Sequence, residues 1–125
     1  MKALVVDDSR PIRRIEGEIL RNLGFETVEA TNGRQALERL QERPLPDLIL
    51  VDWNMPEMNG LEFIRAVRSE SRFAKIVMLM VTTEIETDQM LRALSAGADE
   101  YLMKPFQRAG LVDKLRMLGV VNSDA

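Results

Sequence analysis

The stretch Asp47-Leu48-Ile49-Leu50-Val51-Asp52-Trp53-Asn54-Met55-Pro56 decides how the rest of the chain is read. Leu48 to Val51 form an apolar run with no polar break, the pattern of a central parallel strand covered by helices on both faces. The run stops on a carboxylate, Asp52, and then on turn residues. Such a strand has no solvated face, so Asp52 is expected where the strand leaves the sheet. In open α/β sheets, the carboxyl ends of the strands are where ligands bind.

Working outward from this strand, the chain repeats the same unit. Lys2 to Val6 is a short apolar strand that ends on Asp7-Asp8. Ser9 is placed to cap a helix, Pro11 suits its first turn, and Ile12, Ile15, Ile19, Leu20 and Leu23 recur at helical spacing until Gly24 stops it. Phe25 to Ala30 reads as a second strand, less apolar and nearer an edge. Asn32-Gly33 opens a helix with Ala36, Leu37 and Leu40 inward, and Pro44 and Pro46 end the connection. Beyond the central strand, Asn59-Gly60 starts a helix whose stripe is Leu61, Phe63, Ile64 and Val67, running to about Ser69. Ile76 to Val81 is a fourth buried strand, ending on Thr82-Thr83. A helix is expected from about Glu84 to Ala96, closed by Gly97. Asp99 to Met103 is a fifth strand, broken by Lys104-Pro105, and a last helix spans roughly Gln107 to Leu118. Strand and helix thus alternate five times, which predicts a parallel α/β sheet with helices on both faces.

The 125 residues fit one domain, 1–125, with no room for a second. The 46% hydrophobic and 30% charged shares are those of a globular protein, and a net charge of -3 gives no electrostatic reason to bind nucleic acid. With no cysteine and no histidine, thiol chemistry, disulfides and the commonest zinc ligand are excluded. Chemistry must run on carboxylates, hydroxyls, lysine or a hard metal. No apolar run approaches the roughly 18 to 20 residues of a membrane span, and Met1-Lys2 leads straight into a strand rather than a signal peptide. A cytoplasmic monomer is the default expectation.

Four of the five predicted strands end on residues with chemical capability: Asp7-Asp8, Asp52, Thr82 and Lys104. Strand ends of a parallel sheet share one rim, so these residues can meet although they are distant in sequence. Carboxylates that close must protonate or gain a counter-cation. A hard divalent ion such as Mg²⁺, held by oxygen ligands with coordination left for a phosphate, answers that need. Carboxylate nucleophile, metal, ammonium and hydroxyl together describe a site that transfers a phosphoryl group to an aspartate.

On these residues, the chain resembles the receiver domains of bacterial two-component response regulators, and among them the stand-alone, chemotaxis-type receivers. The resemblance rests on Asp7-Asp8, on Asp52 within DWNMPEMNG, on Thr82, on Tyr101 and on Lys104-Pro105-Phe106, and it covers essentially the whole chain. It implies a five-stranded doubly wound, flavodoxin-like fold with strand order 2-1-3-4-5 and five helices. It implies Asp52 as phosphoacceptor, Asp8, Asp52 and the main-chain carbonyl of Asn54 as Mg²⁺ ligands, Asp7 acting mainly through metal-bound water, and Thr82 and Lys104 on the phosphoryl oxygens. It implies a cis bond before Pro105. It also implies a histidine kinase or phosphotransfer protein as donor, and a downstream partner on a separate chain, since no output domain is present. Partners would read the face of the fourth helix, fifth strand and fifth helix, here including Ile85, Met90, Tyr101, Met103 and Lys114, through a Thr82/Tyr101 switch. Thr83 stands where the family more often has Ala or Gly, so its methyl is expected to narrow access to the acceptor. Asn54 and Glu84, the two variable rim positions, are expected to place or block the water that hydrolyses the phosphoaspartate.

Each motif alone has a plainer reading. Asp7-Asp8 suits a helix N-terminus, Thr82 a cap, Tyr101 a half-buried strand, and Trp53 either packing or a rim position. Other functions stay in view: a phosphatase passing through an aspartyl phosphate, a flavodoxin-like cofactor binder, a constitutive interaction domain independent of phosphate, and a phosphorelay intermediate or phosphate sink. The phosphatase lacks an inserted cap and has Asn54 where a general acid is needed. The cofactor binder lacks a Gly-rich loop after the first strand.

Overall fold

The computed structural model describes residues 1–83 and 87–121. The elements follow in the order β1 (Lys2–Val6), α1 (Arg10–Asn22), β2 (Glu26–Ala30), α2 (Gly33–Arg39), β3 (Leu48–Val51), α3 (Gly60–Arg68), a 3-10 turn (Ser71–Phe73), β4 (Val77–Thr82), α4 (Thr87–Ala96), β5 (Glu100–Met103) and α5 (Arg108–Met117). All strand pairings are parallel and the order is β2-β1-β3-β4-β5, as the resemblance implied. β2 is the edge strand that its weaker apolar pattern suggested.

Alternation along each strand divides the core between the two faces. Leu4, Val6, Ile49, Val51, Met78 and Met80 face one way and meet Ala36 and Leu40 of α2, Phe63, Ile64 and Val67 of α3, and Ala93 of α4. Ala3, Val5, Leu48, Leu50, Leu79 and Val81 face the other way, against Ile19 and Leu20 of α1 and Leu111, Val112 and Leu115 of α5. Leu48 to Val51 are all fully buried, which is why that strand carries no polar position. After β2 the chain crosses back over β1 to lay down β3. The carboxyl ends of β1 and β3 therefore flank the point where the winding reverses, the usual crevice of such sheets.

Helices α1, α2 and α3 begin where short polar side chains satisfy their first amides. Ser9 accepts from Ile12 N, Asn32 Oδ1 accepts from Gln35 N at 2.8 Å, and Asn59 with Glu62 forms a reciprocal capping box. Gly24 and Gly97 close α1 and α4 at positive φ, 98° and 124°.

Two expectations need correcting. Thr82 is the last residue of β4 rather than the residue after it, because β4 and β5 stay paired as far as Thr82 and Met103. On α1, Ile15 is 48% exposed and Glu16 is 1% exposed. At 100° per residue, Ile12, Glu16, Ile19, Leu20 and Leu23 fall within an arc of about 100°, with Ile15 about 40° outside it. The inward face therefore includes a carboxyl. The 3-10 turn between α3 and β4 was not anticipated, and the predicted start of α4 at Glu84 lies outside the described residues.

Candidate functional site

The sheet ladder delivers the site residues to the rim. Asp7 N donates to Ala30 O at 3.1 Å, Asp52 N to Val6 O at 3.0 Å, and Lys104 N to Thr82 O at 2.9 Å. Each residue directly after a strand is thus held by the neighbouring strand's last carbonyl. The β3–α3 loop then turns back tightly, with Gly60 N donating to Trp53 O at 2.9 Å. A Cβ on Gly60 would run into the Asp52 carbonyl, so glycine at this position permits the close approach. The loop is clamped to α2 by Gly33 N on Met58 O at 3.1 Å and by Asn32 Nδ2 on Glu57 Oε2 at 2.9 Å. Glu57 adopts a positive φ of 65° in that turn.

The carboxylates of Asp7, Asp8 and Asp52 and the Lys104 ammonium lie close together. One carboxylate oxygen from each of Asp7, Asp8 and Asp52 lies within 4.8 Å of the others. Asp7 is buried; its Oδ1 accepts from Ser9 N at 2.8 Å and its Oδ2 from Lys104 Nζ at 2.6 Å. Lys104 Nζ also stands 3.7 Å from Asp52 Oδ1, which accepts from Trp53 N at 2.9 Å. Arg13 Nη1 donates to the Asp7 carbonyl at 2.7 Å while its Nε pairs with Glu29 Oε1 at 2.7 Å, fixing the end of β1. Asp8 is exposed.

Electrostatics reflect an excess of acid in partial burial. Burial, opposed by Lys104 but reinforced by Asp7, pushes the Asp52 carboxyl from an ordinary 3.8 up to about 6. Asp52 is thus an anion at neutral pH and a weakly stabilised one. Burial pulls the Lys104 ammonium down, but the Asp7 hydrogen bond and the charges of Asp52, Asp7 and Glu16 outweigh it, and its pKa ends above the ordinary range. Three carboxylates against one ammonium, with only oxygen donors offered, form a set chemically suited to a hard divalent cation such as Mg²⁺.

Thr82 is buried at the end of β4. Tyr101 is half-buried in β5, opposite Met80, and Lys114 Nζ sits 5.4 Å from its ring centroid and 3.6 Å from Glu100 Oε2. Met90 and Met103 are partly exposed, Asn54 and Thr83 are exposed, and Ile85 and Glu84 lie outside the described residues. The bond before Pro105 is cis, as is that before Pro44. The sequence reading missed Glu16, a buried acid on the α1 face, electrostatically coupled to Asp7, Lys104 and Asp52. Its signal was available: spacing 12-16-19-20-23 keeps one helical face better than a stripe through Ile15.

The chain is similar to known proteins in sequence and in fold. The family model described as "Response regulator receiver domain" matches residues 3–116. The chemotaxis protein CheY1 of Helicobacter pylori is 45% identical over 119 residues, covering 94% of this chain and 96% of that protein. The chemotaxis protein CheY of Pseudomonas aeruginosa is 42% identical over 119 residues, covering 94% and 95%. Among solved structures, chemotaxis protein CheY4 of Vibrio cholerae superposes with a TM-score of 0.86 at 38% identity, covering 93% of this chain and 96% of that one.

Proposed function

Because the chain belongs to the response regulator receiver family, we propose that it is a phosphorylation switch in which Asp52 accepts a phosphoryl group from a histidine kinase or phosphotransfer protein. The observation that carries this reading is the convergence of Asp52 with Asp7, Asp8 and Lys104 on one rim, with Lys104 Nζ 3.7 Å from the Asp52 carboxylate. In the transfer, an Asp52 oxygen attacks phosphorus and a P–O bond forms. The P–N bond to the donor imidazole breaks, and the leaving nitrogen keeps its electron pair.

The chain's own residues prepare that step. Asp52 is ionised at neutral pH, and burial beside Asp7 keeps it poorly solvated and reactive. Lys104 supplies a fixed positive charge for the phosphoryl oxygens, and Thr82 is the hydroxyl next to them. Asp8, Asp52 and the main-chain carbonyl of Asn54 would hold Mg²⁺, with Asp7 acting through its water shell. When bound, that ion neutralises charge on the transferring group. The protein turns over no external substrate; it assists its own phosphorylation and hydrolysis.

Output, on this reading, passes to a separate protein through the α4–β5–α5 face, where Met90, Tyr101, Met103 and Lys114 lie partly exposed. The phosphoryl group adds about one to two negative charges at the rim. Thr82 is drawn toward them and Tyr101 follows into the space it leaves, which biases a two-state surface. The named CheY relatives are chemotaxis proteins, and their near full-length match makes chemotaxis the process we assign. The chain acts as one receiver unit, monomeric and cytoplasmic; among the described residues no helix is long and apolar enough to cross a membrane.

The test is labelling by a small acyl phosphate with and without Mg²⁺, read by intact mass on the parent chain and on Asp52→Asn. A metal-dependent gain of one phosphoryl group, lost in the variant, is expected. No gain where a control receiver is labelled would overturn the reading in favour of a constitutive interaction domain.

A further inference from the structure

Glu57 holds a backbone conformation that residues with a Cβ rarely adopt, and nothing in the chemistry above uses its side chain. Its φ is 65°, and Met58 N donates across it to Pro56 O at 2.7 Å. A hydrogen bond from the third residue to the first, with positive φ between them, makes a γ-turn of the rare and strained form. Strain of this kind persists only where surrounding contacts enforce it, and it clusters at functional sites. Glycine would take the same shape without strain, so a side chain here is explained by what it touches.

The Glu57 carboxylate accepts from Asn32 Nδ2 at 2.9 Å. Asn32 is only 9% exposed and is itself fixed, because its Oδ1 caps α2 by accepting from Gln35 N at 2.8 Å. Next to this contact Gly33 N donates to Met58 O at 3.1 Å, and a Cβ on Gly33 would run into the Met58 side chain and carbonyl. The start of α2 therefore grips residues 57 and 58 by one side-chain and one main-chain hydrogen bond. At the other end of the loop Gly60 N donates to Trp53 O at 2.9 Å, and Trp53 N donates to Asp52 Oδ1 at 2.9 Å. Asn54, Met55 and Pro56 run between these two anchorages. Asn54 carries the main-chain carbonyl assigned above to Mg²⁺.

An ion that needs a carbonyl in a set place binds more tightly when the fold has already placed it, because less chain is ordered on binding. We propose that Glu57 is a positioning residue for the acceptor loop: by accepting from Asn32 it presets the main chain of residues 54–56, and with it the Asn54 carbonyl, for Mg²⁺. The strained turn aims the carboxylate at Asn32, and the hydrogen bond holds the turn. Glu57 contributes an acceptor oxygen at a fixed point, while its charge is incidental. The inference rests on the metal site proposed above.

The test is a Mg²⁺ titration followed by Trp53 fluorescence, without any phosphodonor, with circular dichroism and urea unfolding to establish that each variant is folded. Glu57→Gly removes the contact together with the strain, and Glu57→Gln keeps an acceptor oxygen without the charge. Asn32→Asp keeps the cap on α2 but turns the donor into a second acceptor. In Asn32→Asp/Glu57→Gln the hydrogen bond is restored in the reverse direction, from the new amide to the new carboxylate. Mg²⁺ affinity is expected to fall about three- to tenfold in Glu57→Gly and in Asn32→Asp, the size of one lost charge-assisted hydrogen bond. It is expected to stay within about twofold of the parent in Glu57→Gln and in the double variant. Asn32→Asp is the decisive variant: an added negative charge by itself would tighten a divalent cation, so weaker binding reports the lost contact. Tighter or unchanged binding there, or unchanged binding in Glu57→Gly, would overturn the proposal and leave the turn purely structural. Binding as weak in Glu57→Gln as in Glu57→Gly would also overturn it, with charge rather than position at work. These outcomes leave the metal reading standing, whereas a parent chain that ignores Mg²⁺ would overturn that reading and this inference with it.

Discussion

Replacing Glu16 by glutamine should make the protein more stable by an amount that grows with pH. Burial moves the Glu16 carboxyl from an ordinary 4.5 to about 8. Between those values the folded state retains a proton that the unfolded chain has released, so stability falls as pH rises. At 1.36 kcal/mol per pH unit, the cost is under about 1 kcal/mol at pH 5, about 3 kcal/mol at pH 7 and about 4 to 5 kcal/mol above pH 8. Solvent screening takes little off this figure, since the residue is 1% exposed. Glutamine keeps the shape and removes the titration. Its own buried amide adds a constant offset, so the slope against pH is the signal. Urea unfolding at pH 5, 6, 7 and 8, with a chelator present, supplies the stabilities of parent and variant. The difference should widen by about 3 kcal/mol or more between pH 5 and pH 8. A difference that stays constant across this range would refute the claim that Glu16 is buried as a protonated acid.

Other perturbations read different parts of the molecule. Arg68 donates to Gly97 O at 2.9 Å, Phe73 O at 3.0 Å and Ile76 O at 2.7 Å, and pairs with Asp99 at 3.1 Å. Arg68→Ala should therefore cost about 2 to 4 kcal/mol in urea unfolding, and Arg68→Lys should recover less than half because an ammonium lacks the planar fork. Saturating Mg²⁺ should stabilise the parent by about 2.7 kcal/mol at one hundred times its Kd, measured as a rise in Tm, with most of that rise lost in Asp52→Asn. Thr83→Ala should be labelled faster than the parent by a small acyl phosphate, because Thr83 stands exposed directly after β4; equal initial rates by mass would dismiss its methyl as a barrier.

What the sequence made legible follows from where signals are local. The Leu48–Val51 run carried its own burial, and the acids after β1 and β3 announced themselves by ending apolar runs. Parallel pairing then placed Asp7, Asp8, Asp52 and Lys104 together without any further information. Arg68 was invisible for the opposite reason: its partners are backbone carbonyls at Phe73, Ile76 and Gly97, and carbonyls leave no trace in residue identity. The 3-10 turn at Ser71–Phe73 is too short to show a period. A hydroxyl interrupts an apolar run and so hides Thr82 as a strand residue, yet the ladder extends to it through its pairing with Met103. Glu16 is illegible by residue type, since a charged side chain suggests exposure, although its helical angle places it inward.

On the proposed function, Lys104 links the rim to the α4–β5–α5 face. Lys104 is tied by its side chain to Asp7 and by its backbone amide to Thr82, one residue after Met103 and three after Tyr101. Any change that moves the ammonium from Asp7 toward a new phosphoryl group therefore acts on the end of β5 as well as on the acceptor. Asp52 is only 8% exposed, so added charge there cannot be left to solvent. A ligand shifts an equilibrium only through interactions that differ between its two states. On the proposed function, Lys104 would supply such a difference, with Asp7 as its partner now and a phosphoryl group as its partner after transfer. On the same reading, Tyr101, three residues before Lys104 on β5 with Lys114 Nζ 5.4 Å from its ring centroid, would report which partner it has.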